Sequence, residues 1–99
     1  MSEDIQYMPS VDGSGFDAIC RGQIIGQVTY VRIGMDKIII DYTGVATPYR
    51  GQNIGLTLVR RVADLARSQH RRIITICPFA RAMFNRYPEF DDIRLMNAH

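Results

Sequence analysis

The residues best able to do chemistry lie together in one stretch, Val45-Ala46-Thr47-Pro48-Tyr49-Arg50-Gly51-Gln52-Asn53-Ile54-Gly55-Leu56. An apolar run enters it and an amphipathic pattern leaves it, so it reads as a strand, a tight loop and a helix N-terminus. The first N–H groups of a helix have no intrahelical partner, and the helix dipole adds partial positive charge there, which makes such a junction an anion site. Gly51 and Gly55 let the main chain approach a phosphate, Asn53 tolerates positive φ, and Arg50 adds a charge-assisted contact. The chemistry on offer is capture of a pyrophosphate. Two other phosphate loops are excluded. A P-loop needs Gly-x-x-x-x-Gly-Lys-Ser/Thr, and Leu56 stands where its lysine would be; the Gly-x-Gly-x-x-Gly fingerprint is absent as well. On these residues alone, a plain strand-to-helix connection whose glycines serve only turn geometry is an equal reading.

The chain that must position this loop has 99 residues, which makes 1–99 a single domain with a thin core. A homodimer would be a natural supplement to such a core. Apolar residues at 46% and charged ones at 22% are ordinary for a soluble globular protein. The longest aliphatic runs, Ile38-Ile39-Ile40 and Ile73-Ile74, fall far short of a membrane span, so no membrane partner is expected. Met1-Ser2-Glu3-Asp4 lacks the basic-then-apolar order of a signal peptide, and Cys20 and Cys77 form neither a disulfide framework nor a metal-type spacing. A cytoplasmic location and no metal are the expectations. The net charge of +2 is too small to argue for nucleic acid, although Arg60, Arg61, Arg67, His70, Arg71 and Arg72 crowd one helix and its exit.

Residues 1–14 read as a loose lead-in with one short pairing near Ile5–Tyr7. From Gly15 the chain alternates, with Phe16, Ala18 and Cys20 on one face and Asp17, Ile19 and Arg21 on the other. Gly22-Gln23 predicts a turn, Ile24–Ile33 a second strand, Gly34-Met35-Asp36 another turn and Lys37–Ala46 a third strand, together an antiparallel meander. Gly26 and Gly44, inside strands, predict bulges or close approach by another group. Gly55–Ser68 predicts a helix with Leu58, Val59, Val62, Ala63, Leu65 and Ala66 inward, and with Arg60 and Asp64 spaced to pair. Ile73–Cys77 then predicts a short strand, parallel to Lys37–Ala46 because it follows a crossover helix. Pro78 suits the first turn of a helix over Phe79–Tyr87, whose Phe79, Met83 and Tyr87 stripe predicts packing against the sheet. The tail Glu89–His99 carries Phe90, Ile93 and Leu95, enough to dock.

Arg50-Gly51-Gln52-Asn53-Ile54-Gly55 resembles the Arg/Gln-x-x-Gly-x-Gly/Ala signature of the GNAT superfamily of acetyl-CoA-dependent N-acetyltransferases, with Asn53 in place of the central glycine. A second stretch, running from Ile76-Cys77-Pro78-Phe79 to Arg86-Tyr87-Pro88-Glu89-Phe90, resembles the C-terminal block of a short single-domain GNAT family. Cys77, Phe79, Arg86, Pro88, Glu89 and Phe90 match that block by type and order. The resemblance implies a trimmed GNAT fold of the α+β class: an antiparallel meander, one parallel strand splayed from it, a central helix and a short C-terminal helix. It implies that the pantetheine arm of acetyl-CoA enters between Lys37–Ala46 and Ile73–Cys77. Val45, Ala46, Arg50, Gly51, Gln52, Asn53, Ile54 and Gly55 would then hold the cofactor, with Phe79 and Arg86 beside it. The family often has His-Thr-Glu-Val where this chain has Tyr42-Thr43-Gly44-Val45, and histidine where it has Tyr87. His70 sits at the helix exit and His99 at the end, so no histidine or glutamate base carries over.

Acetyl transfer to an amine needs an oxyanion donor and a proton for the departing thiolate. Backbone N–H groups near Gly44–Ala46 are the natural oxyanion donors. Cys77, before a helix N-terminus, is the candidate side chain to protonate the leaving group or carry the acetyl group, against the plainer role of a buried structural cysteine. Tyr42 and Tyr87 are candidate proton donors, although packing is the simpler role for both; Asp41 or Glu89 could assist a water. The function expected is acetyl-CoA-dependent N-acetylation of an amine on a small molecule, peptide or protein. The alternatives are a coenzyme A-binding module with weak or no catalysis, and a basic polyanion- or partner-binding protein. Nucleic acid is not expected, because no aromatic residues interleave with the arginines.

Overall fold

The computed structural model describes residues 4–95; the acidic start Met1-Ser2-Glu3 and His99 lie outside the described residues. The lead-in holds a strand, β1 (Gln6–Pro9), longer than the short pairing read near Ile5–Tyr7 and paired antiparallel with β2 (Gly15–Cys20). β2 turns into β3 (Gln23–Ile33) through Arg21 and Gly22 rather than Gly22 and Gln23. Both take positive φ, 53° and 76°, the geometry a two-residue hairpin loop requires of its central pair. The loop at Gly34 leads into β4 (Lys37–Val45), and the mixed sheet runs β1-β2-β3-β4-β5. β5 (Arg72–Thr75) is shorter than the Ile73–Cys77 reading and lies parallel to β4, as a crossover helix dictates.

That helix is α1 (Ile54–Ser68), which lays Leu58, Val59, Val62, Ala63 and Ala66 on Ala18, Val28, Ile38 and Ile40 of the sheet. Gly26 makes the approach close: a Cβ there would stand 3.3 Å from both Ile54 and Leu58. α2 (Pro78–Arg86) and the 3-10 turn Pro88–Phe90 complete the core with Phe84 and Phe90, stacked at 4.7 Å. The C-terminal segment then covers the outer edge of β5: Ile73 N–H donates to Ile93 O at 2.7 Å, and Leu95 N–H to Ile73 O at 3.0 Å.

Gly26 and Gly44 are not themselves the bulged residues. The register shifts leave Ile25 unpaired in β3 and Asp41 unpaired in β4. The Asp41 bulge changes which residues face the core. Before it, Ile38 and Ile40 point toward α1; after it, Thr43 and Val45 do, because they pair with Val28 and Gly26 on that face. The same residue marks the end of the parallel pairing. β5 pairs with Lys37–Ile40 only, Ile76 N–H and Cys77 N–H both reach Ile40 O at 3.2 and 3.3 Å, and the chain then turns into α2. From Asp41 to Val45, β4 has no neighbouring strand on that side among the described residues.

The ion pairs differ from the spacing rule. Arg60 does not pair with Asp64 but forks onto Glu89, at 2.8 and 2.9 Å, while Asp64 pairs with Arg67. Arg67 also grips Asp92, so two arginines of α1 pin the C-terminal segment. These neighbours raise both guanidinium pKa values, and the arginines hold the Glu89 and Asp92 carboxyls below their ordinary range.

Candidate active site

Where β4 and β5 part, a cleft of about 430 Å³ opens on the α1 side of the sheet. Its floor is Thr43, Gly44 and Val45; one wall is the loop with Tyr49, Arg50, Gly51 and Asn53 and the start of α1; the other is Phe79, Met83, Arg86 and Tyr87. Ala46 N–H donates to Ile25 O on β3. In an antiparallel ladder the polar groups alternate in direction, so the N–H and C=O of Val45 and Thr43 face the parting. Arg50 Nε donates to Val45 O at 3.2 Å, which agrees with that direction.

The loop takes the conformation its sequence calls for. Pro48 begins a 3-10 turn over Thr47–Tyr49, Gly51 has φ 85°, and Asn53 occupies the left-handed region at φ 62°. Asn53 spends its carbonyl on Thr57, accepting from its N–H at 3.0 Å and its Oγ1 at 2.9 Å. No side chain caps α1 and its first turn holds no acid, so the leading N–H groups of Ile54, Gly55 and Leu56 sit uncapped at a cleft those residues line. The charged lining residues are Arg50 and Arg86, with no carboxylate among them. Thr43 Oγ1 is buried there with no hydrogen-bond partner among the described residues. A cationic hollow with open main-chain donors on two sides is built for an extended anion.

The structure brings together Val45, Arg50, Gly51, Asn53, Ile54, Gly55, Phe79 and Arg86 of the expected site residues. Ala46 and Gln52 lie exposed in the same loop and outside the lining. Gly55 has a packing reason to be glycine besides the one expected. A Cβ on it would stand 2.6 Å from the Phe79 ring, so glycine here admits Phe79. The Phe79, Met83 and Tyr87 stripe lines the cleft, and Met83 and Tyr87 also pack against the hydrophobic core; α2 fully buries Ala80 and Phe84.

Cys77 precedes α2 as expected but is only 5% exposed, within the hydrophobic core and outside the lining. Tyr42 is placed by the Asp41 bulge on the sheet face away from α1, 53% exposed. Its hydroxyl bends over Gly44, 2.1 Å from where a Cβ would be, at the lip of the cleft. The unpaired Thr43 hydroxyl and the wall residues Tyr49, Leu56 and Met83 went unread because single residues in a strand or helix carry no sign of the void they face. The basic run on α1 is not a free polyanion surface: Arg60 and Arg67 are held by acids, Arg61 lies over the Tyr7 ring, and Arg71 donates to the carbonyls of Gly34 and Lys37.

A helix N-terminus opening onto a parted mixed sheet is the arrangement of GNAT acetyltransferases, and this chain belongs to the GCN5-related N-acetyltransferase family, whose model matches residues 16–93. No curated protein is significantly similar in sequence. A GCN5-like protein from Staphylococcus aureus superimposes with a TM-score of 0.77 and 27% identity, over 100% of this chain and 95% of that one. Larger relatives share the fold. A ribosomal-protein-alanine N-acetyltransferase from Brucella melitensis biovar Abortus matches at TM-score 0.64 and 18% identity, over 85% of this chain and 62% of its own. A GNAT family acetyltransferase from Elizabethkingia anophelis, solved with acetyl-CoA bound, matches at 0.61 and 19%, over 85% of this chain and 61% of its own.

Proposed function

We propose that the protein transfers an acetyl group from acetyl-CoA to an amine. The observation that carries this is the parting of β4 from β5 beside an uncapped helix N-terminus, in a lining with arginines and no carboxylate. The cofactor supplies an activated thioester carried on a long diphosphate handle. Main-chain N–H groups of Ile54 to Leu56, with Arg50 and Arg86, hold the diphosphate. The outward N–H and C=O of Thr43 and the N–H of Val45 pair with the amide-bearing arm as a strand would, and Phe79 and Met83 cover its apolar side. Tyr42, whose hydroxyl overlies Gly44, stands as proton donor toward the departing thiolate. Cys77 is the other candidate for that role, and its burial favours Tyr42.

Calorimetric titration with acetyl-CoA and with coenzyme A tests the reading. Saturable binding that weakens with salt, together with acetylation of an added amine, is the expected result. Absence of binding would end the proposal.

A further inference from the structure

The cleft opens on the α1 side, and its charged lining residues, Arg50 and Arg86, repel a cation there. An amine is protonated at neutral pH, with a pKa of about 10 for an alkylamine, so it must arrive from the other face of the sheet. Among the described residues no helix covers that face; α1 packs on Ala18, Val28, Ile38 and Ile40, which point the opposite way. Val28 is fully buried toward α1, so its neighbour Thr29 points outward, and Thr29 Oγ1 donates to Asp41 Oδ1. The Asp41 carboxylate therefore stands on the outer face, exposed, at the residue where β4 and β5 separate. Asp41 Oδ2 has no partner among the described residues. Beside it the face is apolar: Val31, Tyr42 and Ile76 are 51%, 53% and 55% exposed, and Ile39 and Ile74 lie between them in register.

We infer that Asp41 and this apolar surface form the acceptor site, and that the acceptor is a monoamine with an apolar body. The inference rests on the acetyl-transfer reading above and names its substrate class. One carboxylate next to exposed aliphatic and aromatic side chains suits a single ammonium on a hydrocarbon frame. A polyamine would place its further charges on apolar residues, or toward the arginines of the cleft. Asp41 acts as a binding and orienting residue: Thr29 fixes one oxygen and the other takes the ammonium. The amine loses one proton to solvent as it leaves the ammonium form. It loses a second as its C–N bond to the acetyl carbon forms and the thioester C–S bond breaks; Tyr42 gives its own proton to the departing thiolate and regains one from the amine nitrogen.

The test compares acetylation of 2-phenylethylamine and of spermidine by the full chain, its Asp41→Asn variant and its Val31→Lys variant, with acetyl-CoA affinity measured by calorimetry on each. Asparagine keeps an acceptor for the Thr29 hydroxyl and removes only the charge, while a lysine at 31 places a competing ammonium on the same face. The expected result is preference for 2-phenylethylamine, a rise in its KM of about tenfold or more in both variants, and acetyl-CoA affinity unchanged. An unchanged KM in both variants, a preference for spermidine, or acetyl-CoA binding with neither amine acetylated overturns the inference and leaves the cofactor reading standing. Failure to bind acetyl-CoA removes that reading, and the acceptor site with it.

Discussion

The ring of Phe79 fills the space that a side chain at position 55 would need: a Cβ on Gly55 would lie 2.6 Å from its Cζ and 2.8 Å from its Cε2. The first turn of α1 and the first turn of α2 are thereby locked across the cleft. Gly55→Leu is expected to push Phe79 off its wall, with a stability loss of about 1–3 kcal/mol from overpacking and loss of measurable acetyl-CoA binding. Urea denaturation and calorimetry read the two effects separately. Retained affinity in a folded Gly55→Leu protein would mean that the Phe79 wall plays no part in holding the cofactor.

Tyr42 on β4 and Cys77 between β5 and α2 flank the parting, and their burial separates their expected roles. Tyr42→Phe should lower kcat by roughly a hundredfold, the scale of losing a general acid, with little change in acetyl-CoA affinity. Cys77→Ala should change kcat by less than about twofold, a small fraction of the loss expected when a general acid is removed, and should leave the pH profile of turnover in place. A lost limb of that profile in Cys77→Ala would return the thiol to the chemistry.

Arg86 lines the cleft while its guanidinium rests over the Tyr87 ring at 5.4 Å. Arg86→Ala is expected to weaken acetyl-CoA binding about tenfold, the loss of one charge-assisted contact, and to reduce the salt dependence of Kd. Titrations at two ionic strengths provide the comparison. Equal salt slopes in the two proteins would place the diphosphate elsewhere.

The Arg60–Glu89 and Arg67–Asp92 pairs give stability a defined pH dependence. Both carboxyls have folded pKa values below their ordinary 4.5 and 3.8, with the arginine hydrogen bonds as the first cause. Their contribution is therefore fully present above those ordinary values and is lost as pH falls below them, through the depressed folded pKa values. Melting temperatures between pH 6 and pH 3 should fall over the acid part of that range. The fall should be shallower in a Glu89→Gln, Asp92→Asn double variant and in high salt.

Phe84, 1% exposed and stacked on Phe90, ties α2 to the segment that covers β5. Phe84→Ala should cost about 3–5 kcal/mol. The midpoint of urea denaturation measures it; a cost under about 1 kcal/mol would show that the aromatic pair is not central to the core.

Much of this was legible in the chain. The α1 stripe from Leu58 to Ala66 gave the helix within one residue, and the crossover rule gave the parallel partner of β4. Asn53 was readable as a left-handed residue because few other side chains tolerate that conformation. What the sequence hid is non-local. The bulge at Asp41 depends on the register of β3, so the in-strand glycines did not locate the bulges, although Gly26 does mark a close approach, to Ile54 and Leu58. The Phe79, Met83 and Tyr87 stripe obeys helical spacing whether it meets a sheet or a hollow, and only the departure of β5 decides between them. Arg60 had a textually closer acid in Asp64, yet the chain returns Glu89 to it from 29 residues away.

Among the described residues, one strand edge is bare from Asp41 to Val45, while the opposite edge of β5 is sealed by Ile93–Leu95. Bare edges recruit strands from other molecules, which makes this length an adhesive surface. A ligand that bonds there would therefore act as a chaperone as well as a reagent. Starved of it, the protein should clump and become easier prey for proteases; well supplied, it should persist.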